Sequence, residues 1–440
     1  MSAGTITDEA VGKSAMNKAF WRILPLIGLA YLFAYMDRVN VSFAAASMNE
    51  DLKFSATVYG LGGGLFFLAY ALFEIPSNLM LVRFGARKWI ARIMITWGLL
   101  SAAMMFVQTP MHFYMLRFLL GVAEAGFYPG VIFYFASWFP PCHRSRAVSR
   151  FFVFSPLASV VMGAMSGWLL GLDGNAGLHG WQWLFLVQGL PTVFVGLIVL
   201  KFLPDSPAKV VWLTQPEKDW ICNELEREQA RMGTPAGHNV LAAFRNPRVL
   251  ILGFFGCLLM SVVTTIILNA PLILAGVTAL DVTHVGYLVS LGGLLGAAAV
   301  LFAGNHADRH GDRWGNAVAC CVLLASAVLV LGLSPSPRLV IAAYLAFATI
   351  CFVIPMLTSS GWAEVLHVRE LAIGAAAINT MSQIGAFVAP FGWGMAKDAT
   401  GSFQPALMTL SIIVLAMAGL LMLLRHQVRG RVMHRVAATG

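Results

Sequence analysis

Charge is scarce in this sequence. Only 11% of its 440 residues are Asp, Glu, Lys or Arg, less than half of the roughly 25% in an ordinary soluble domain. Hydrophobic residues make up 59%, and the mean hydropathy is +0.77. No soluble fold of this length has an interior large enough to hide so much apolar side chain. Soluble, disordered and fibrous classes are excluded, and lipid must solvate most of the chain. Cysteine is sparse too. Cys142, Cys222, Cys257, Cys320, Cys321 and Cys351 form no CxxC pair, which speaks against a thiolate metal site. None falls in an external loop of the topology below, which speaks against a disulfide framework. No Gly-x-x-x-x-Gly-Lys-Ser/Thr loop occurs, so ATP drive has no support. The first 20 residues are polar and lack the apolar core of a cleavable signal. No basic patch carries interleaved stacking aromatics outside an apolar run, so the net charge of +9 does not point to nucleic acid.

What the chain does have is long apolar stretches. Twelve are predicted as membrane helices, over 21–46, 58–80, 89–109, 112–137, 147–171, 182–203, 248–275, 284–304, 316–334, 338–362, 372–396 and 405–425. A closed barrel is excluded, because these runs lack the period-2 alternation of barrel strands. Of the 29 Lys and Arg residues, 24 fall on one side of this topology and three, Lys53, Arg338 and Lys397, on the other. Cytoplasmic loops collect positive charge, so both termini are expected in the cytoplasm of a cell (inner or plasma) membrane protein. The only long hydrophilic stretch is 204–247. Within it Thr214 and Glu217 have capping-box spacing, and Trp220, Ile221 and Leu225 share a helical face, which predicts an amphipathic helix at the membrane surface. The two sides of this segment repeat each other. Gly60 and Gly85 are 25 residues apart, as are Gly286 and Gly311; Trp138 and His143 are five apart, as are Trp362 and His367. The expected organisation is an all-α multi-pass membrane protein of twelve transmembrane helices in two six-helix halves, 1–203 and 248–440, joined by the 204–247 loop. That is a parallel-repeat transporter plan.

A charge at the bilayer centre costs about 2.5–3.5 kcal/mol on insertion scales, so charges kept there face the bundle interior or a wet cavity. Four lie deep in the first half, Asp37, Arg38, Arg117 and Glu124, and Glu74 lies nearer the cytoplasmic end of its span. Arg117 and Glu124 are two turns apart on one face, roughly 10 Å along the axis. They can line one cavity without touching. Asp37 and Arg38 are adjacent and diverge by about 100°, so one can face a cavity while the other ties the first span to a neighbour. The four could form internal ion pairs that only hold spans together. Apolar packing would serve that purpose more cheaply, which favours a binding site. Arg38 offers a planar bidentate fork for a carboxylate. Arg117 would bind a second anionic group or pair with Asp37. Glu124, in an apolar wall, is the expected proton carrier, with Asp37 as the competing proton site. Tyr35 could donate to a substrate oxygen. Asn379 and Gln383 share a face four residues apart, placed either to bond substrate or to join helices. Glu74 is expected to fasten the cytoplasmic gate.

Two loop segments carry a resemblance. Gly304, Asp308, Arg309, Gly311 and Arg313 follow the eighth span in a pattern that resembles the loop signature of the major facilitator superfamily. Its copy after the second span has Arg83, Gly85, Arg87 and Lys88, but Asn78 and Val82 where the family usually has Gly and Asp. The resemblance makes Arg83, Arg87, Asp308 and Arg309 gating residues, with the tighter lock in the second half. It also explains Asp308 within His306-x-Asp308-x-His310, so no metal is expected there. More specifically, Asp37-Arg38-Val39-Asn40, Glu74-Ile75-Pro76-Ser77-Asn78, the Arg117 to Gly126 stretch and Gly180-Trp181-Gln182-Trp183 resemble the anion:cation symporter family, with the tartrate and phthalate branch most similar. The resemblance implies import of an organic carboxylate with protons, without cofactor, by a monomer in the bilayer. A proton-independent exchanger or uniporter using the same arginines is the runner-up, followed by a carboxylate sensor that does not transport. An enzyme is not expected.

Overall fold

The computed structural model describes residues 3–232, 245–310, 312–365 and 368–439. It is an all-helical bundle. In hydrocarbon no water is available to backbone polar groups, so each apolar stretch satisfies its own peptide groups as a helix. The first half contains α1 (Ala3–Leu52), α2 (Ala56–Phe84), α3 (Ala86–Ala103), α4 (Pro110–Glu124), α5 (Phe127–Ala136), α6 (Pro141–Phe152), α7 (Phe154–Leu170) and α8 (Gly180–Phe202). After α9 (Gln215–Met232) come α10 (Pro247–Thr278), α11 (Val282–His310), α12 (Arg313–Leu333), α13 (Pro337–Ile350), α14 (Val353–Val365), α15 (Val368–Thr400) and α16 (Gln404–Thr439).

Local sequence sets several starts. Thr109 accepts from His112 N with Pro110 in the first helical position, and Asn246 accepts from Arg248 N ahead of Pro247. Both combine an N-cap side chain with a residue that has no N–H to leave unpaired. Among the described residues eleven helices are long and apolar enough to cross a membrane. The further long helix, α15, holds Asn379, Thr380, Ser382 and Gln383 within little more than one turn, yet packs deep in the bundle between α2 and α10. Three predicted spans are interrupted rather than continuous, one of them at Val153 between α6 and α7. The chain between α4 and α5 breaks at Ala125 and Gly126, and the chain between α13 and α14 breaks at Cys351 and Phe352.

At 50 residues α1 is far longer than a bilayer needs. Its first turns lie against α9. Ile221 of α9 is fully buried, and Trp220 and Leu225 pack beside it. Glu217 ties the two helices, accepting from Ser14 Oγ at 2.6 Å, from Lys18 Nζ at 2.8 and 2.9 Å, and from Thr214 N at 2.8 Å. Burial pushes the Glu217 carboxyl up, but the bonds from Lys18, Ser14 and Thr214 outweigh it and hold the group down to about 2.

One end of the bundle is sealed by backbone contact. A Cβ on Gly60 of α2 would stand 2.2 Å from the Pro390 carbonyl oxygen of α15, and one on Gly394 would stand 2.2 Å from that of Ala56. On the opposite side, Gly163 of α7 and Gly286 of α11 each lie against the other's carbonyl oxygen. Asp398 accepts from Ala56 N and Thr57 N at 3.0 and 2.8 Å, capping the start of α2 from another helix. Tyr59 OH donates to Leu268 O at 2.8 Å, joining α2 to α10.

Gly60→Ala should therefore lower the melting temperature of the purified protein, by an overpacking cost of about 1–3 kcal/mol. Gly419→Ala in α16, where nothing lies within 4 Å of the added methyl, should raise it slightly through helix propensity. Glu217→Gln should speed amide hydrogen exchange across α9 by about tenfold, the loss expected for hydrogen bonds to a charged group. Because the folded-state pKa of Glu217 lies below its ordinary 4.5, its contribution is complete above that value. It is lost as pH falls toward about 2, and α9 exchange should show that loss.

Candidate functional site

A cavity of about 260 Å³ lies within the bundle. Its wall runs along α1 from Val39 to Tyr31 and along α10 from Leu268 to Leu252, away from the sealed end. Of the residues singled out in the sequence, Tyr35, Arg38, Arg117, Glu124, Asn379 and Gln383 line it. Asp37, Glu74, Arg83 and Arg87 do not.

Arg38 is the centre of the charged wall. Its Nε and Nη2 donate to Glu124 Oε1 at 3.0 and 2.5 Å. The Arg38 side chain keeps 24% of its surface exposed, while Glu124 keeps none. The rings of Tyr35, Phe66 and Tyr70 lie 5.3, 5.7 and 5.5 Å from the guanidinium carbon, within cation–π range. The ion pair weighed as one alternative from the sequence is thus present, and it lies in the cavity wall. Its position depends on the helix break. Glu124 is the last residue of α4, and Gly126 adopts φ +85°, with no room for a Cβ against Ser77 Oγ. That turn starts α5 in a new direction. Glu124 Oε2 is buried and has no hydrogen-bond partner.

Arg117 does not pair with Asp37, one of the two roles expected for it. Its Nε and Nη2 face the carbonyl oxygens of Gly62 and Gly63 at 3.3 and 3.5 Å, and its guanidinium covers the Phe66 ring at 4.9 Å. Only 2% of the residue is exposed. The absent side chains of Gly62 and Gly63 face Phe113 and Leu268, which lets α2 pack closely on α4 and α10.

Asp37 points the other way, into a network the sequence reading did not foresee. Ser101 Oγ lies between Asp37 Oδ1 and Gln188 Oε1, at 2.8 Å from the latter. Asn40 Nδ2 donates to the same Gln188 oxygen at 3.0 Å, and Gln188 Nε2 donates to Phe33 O at 3.2 Å. Asp37 Oδ2 is buried without a partner. The polar residues in 182–203 were a usable signal for Gln188, but a lone Ser or Gln in an apolar span has many local uses.

Glu74 bonds Asn379 across two helices, with Nδ2 donating to Oε1 at 2.7 Å and Oε2 at 2.8 Å. Asn379 therefore both touches the cavity and joins α15 to α2. Of the loop residues, Arg87 pairs with Asp205 at 2.9 Å and Arg83 lies over Phe84. The side chains of Asp308 and Arg309 lie outside the described residues, as does that of Cys142; the other five cysteines are free thiols. Asp312, close by in the chain, pairs with Arg425 of α16 at 2.5 Å.

A double-mutant cycle of Glu74→Gln and Asn379→Ala should give a coupling energy of about 0.5–3 kcal/mol in unfolding measurements, the range for groups in direct contact. A coupling of zero would remove this bond from the ties between α2 and α15.

Comparison with known proteins places the chain. The family model of the Major Facilitator Superfamily matches residues 27–390. A protein of Agrobacterium vitis described as a putative tartrate transporter is 40% identical over 96% of this chain and 93% of its own length. A quinolone resistance transporter of Acinetobacter baumannii is 38% identical over 92% and 93%. Among solved structures, a bacterial homologue of the human lysosomal transporter Spinster, in an inward-facing and unoccupied conformation, superposes with a TM-score of 0.74 at 15% identity, over 92% of this chain and 96% of that one. The chain belongs to the Major Facilitator Superfamily and is a multi-pass membrane transporter of solutes, not an enzyme.

Proposed function

We propose that this transporter imports an organic carboxylate together with protons, as a member of the anion:cation symporter branch. Twelve spans in two six-helix halves, both termini in the cytoplasm of the cell membrane and a monomeric bundle complete the reading. With that orientation the sealed end faces outward and the cavity extends toward the cytoplasm, as in an inward-facing state.

The observation that carries the proposal is the Arg38–Glu124 pair. Arg38 is a partly exposed cation in a cavity wall, and its anionic partner is fully buried. An incoming carboxylate competes with Glu124 for the same guanidinium hydrogens. If it wins, Glu124 is left buried and unpaired, a state costing several kcal/mol. A proton on Glu124 removes that cost. Anion binding and protonation of Glu124 therefore favour each other, which is the linkage that symport requires. The Asp37 network supports a second protonatable site. Ser101 has one hydroxyl proton but faces two acceptors, Asp37 Oδ1 and Gln188 Oε1. A proton on Asp37 satisfies both contacts at once. The Agrobacterium vitis relative, described as a putative tartrate transporter, agrees with an acid as cargo. Among the described residues of the wall the one acid, Glu124, is fully buried, which also favours an anionic over a cationic cargo.

Uptake into proteoliposomes of labelled tartrate, phthalate, 4-hydroxyphenylacetate, a hexonate and a neutral sugar, with and without an inward proton gradient, tests the reading. Gradient-driven accumulation of at least one acid is expected. Glu124→Gln should abolish accumulation while retaining binding, and Arg38→Ala should weaken binding roughly 30-fold or more, the loss of a charge pair worth about 2 kcal/mol or more. Gradient-indifferent exchange would remove protons from the cycle, and uptake of the sugar alone would remove the anion.

A further inference from the structure

The cavity is chemically lopsided, and the imbalance narrows its cargo. Resting on the carboxylate reading above, we propose that the site is built for a compact acid with one carboxylate and an aromatic body, and that it discriminates against dicarboxylates and polyhydroxy acids.

Charge sets the number of carboxylates. Two arginines reach the cavity, but only Arg38 has a guanidinium with exposed surface, since Arg117 is 2% exposed and directed onto the Gly62 and Gly63 carbonyls and the Phe66 ring. Among the described residues no lysine or histidine lines the wall. A second carboxylate on the ligand would enter a low-dielectric site with no cation to meet it, where an unpaired charge costs far more than its contacts return. The one carboxyl among the described wall residues, Glu124, would add nothing to meet it.

The remaining wall sets the body. Ten of the 35 lining residues are aromatic, whereas aromatics are 12% of the chain. Tyr35 and Tyr70 flank the Arg38 guanidinium, so a carboxylate held there presents its ring directly to aromatic neighbours. The facing wall is supplied by Phe255, Leu259, Met260, Phe352, Met356 and Trp362. Three of its four hydroxyls are already engaged. Thr358, Ser359 and Ser382 donate to the carbonyls of Ile354, Pro355 and Ile378 on their own helices, and Asn379 is held by Glu74. A polyhydroxy acid would exchange water for a surface with few free donors, and unmet polar groups are penalised on burial. Size agrees: 260 Å³ lies just below the usual range of ligand pockets, about 300–1,000 Å³, so one ring fits better than a fused system.

The test is binding by isothermal titration to the full chain in lipid nanodiscs, with 4-hydroxybenzoate, phthalate, tartrate, a hexonate and the neutral 4-hydroxybenzamide as probes. The expected result is that 4-hydroxybenzoate binds at least tenfold more tightly than each of the others. Phe352→Leu, which leaves every charge in place, should weaken 4-hydroxybenzoate three- to tenfold and leave the weak tartrate signal unchanged. Tartrate, phthalate or the hexonate binding as well as or better than 4-hydroxybenzoate would overturn this inference while leaving the carboxylate reading intact. Equal binding of the acid and the neutral amide, or no binding of any acid, would overturn both.

Discussion

A buried ion pair at a broken helix is the constraint from which the rest of the site follows. Glu124 stands at the carbonyl end of α4, where the helix macrodipole disfavours a carboxylate, and it has no access to water. Nothing local holds it. Its second oxygen has no partner, and the start of α5 turns away through Gly126. Arg38 is therefore required, and Arg38 in turn is held over by three aromatic rings of its own half. The pair is adequate but incomplete. A fully satisfied buried pair would resist exchange; one with an unmet carboxylate oxygen and a partly exposed guanidinium is open to a competing anion on one side and to a proton on the other.

The two ends of the bundle are held by different kinds of contact. At the sealed end the approach is backbone to backbone, through Gly60, Gly394, Gly163 and Gly286. Such surfaces meet fully or not at all, because interdigitated packing has no intermediate distance. At the other end the tie described between the halves is a side-chain bond, Glu74 to Asn379, while Arg87–Asp205 and Arg425–Asp312 each join elements within one half. A polar bond of this kind can exchange its partner for water. Halves closed by backbone packing at one end and joined by an exchangeable polar bond toward the other have the mechanical asymmetry that alternating access uses.

The sequence analysis recovered what the bilayer makes expensive. Asp37, Arg38, Arg117, Glu124 and Glu74 stand out because a charge in hydrocarbon has a large cost, and all five are at or beside the cavity or the helix ties around it. The paired spacing of Gly60 and Gly286 also falls on real close contacts. What escaped was decided by geometry at zero cost in composition. The break at Ala125 and Gly126 needs one glycine among 42. Ser101 and Gln188 are neutral and unremarkable in an apolar span until Asp37 is seen beside them. That Arg117 faces the Gly62 and Gly63 carbonyls is likewise decided by helix placement, which no residue pattern records.

That placement has a consequence for how charge and shape are divided. Because the carbonyls of α2 absorb Arg117, the first half presents a single exposed cation and both candidate proton sites. Among the described residues the second half contributes no charge to the cavity wall; it supplies apolar and aromatic surface, the amides of Asn379 and Gln383, and hydroxyls of which Thr358, Ser359 and Ser382 turn back onto their own helices. Under the proposed symport, coupling and recognition would then be carried by separate sets of residues. Changes to the second-half wall can alter which acid fits without disturbing the Arg38–Glu124 exchange, whereas changes to the first half alter whether any acid moves. In the proposed cycle a single cation shared between an internal carboxylate and the ligand is what would permit this division: one carboxylate on the ligand would suffice to trigger the exchange, and everything else about it would be left to packing.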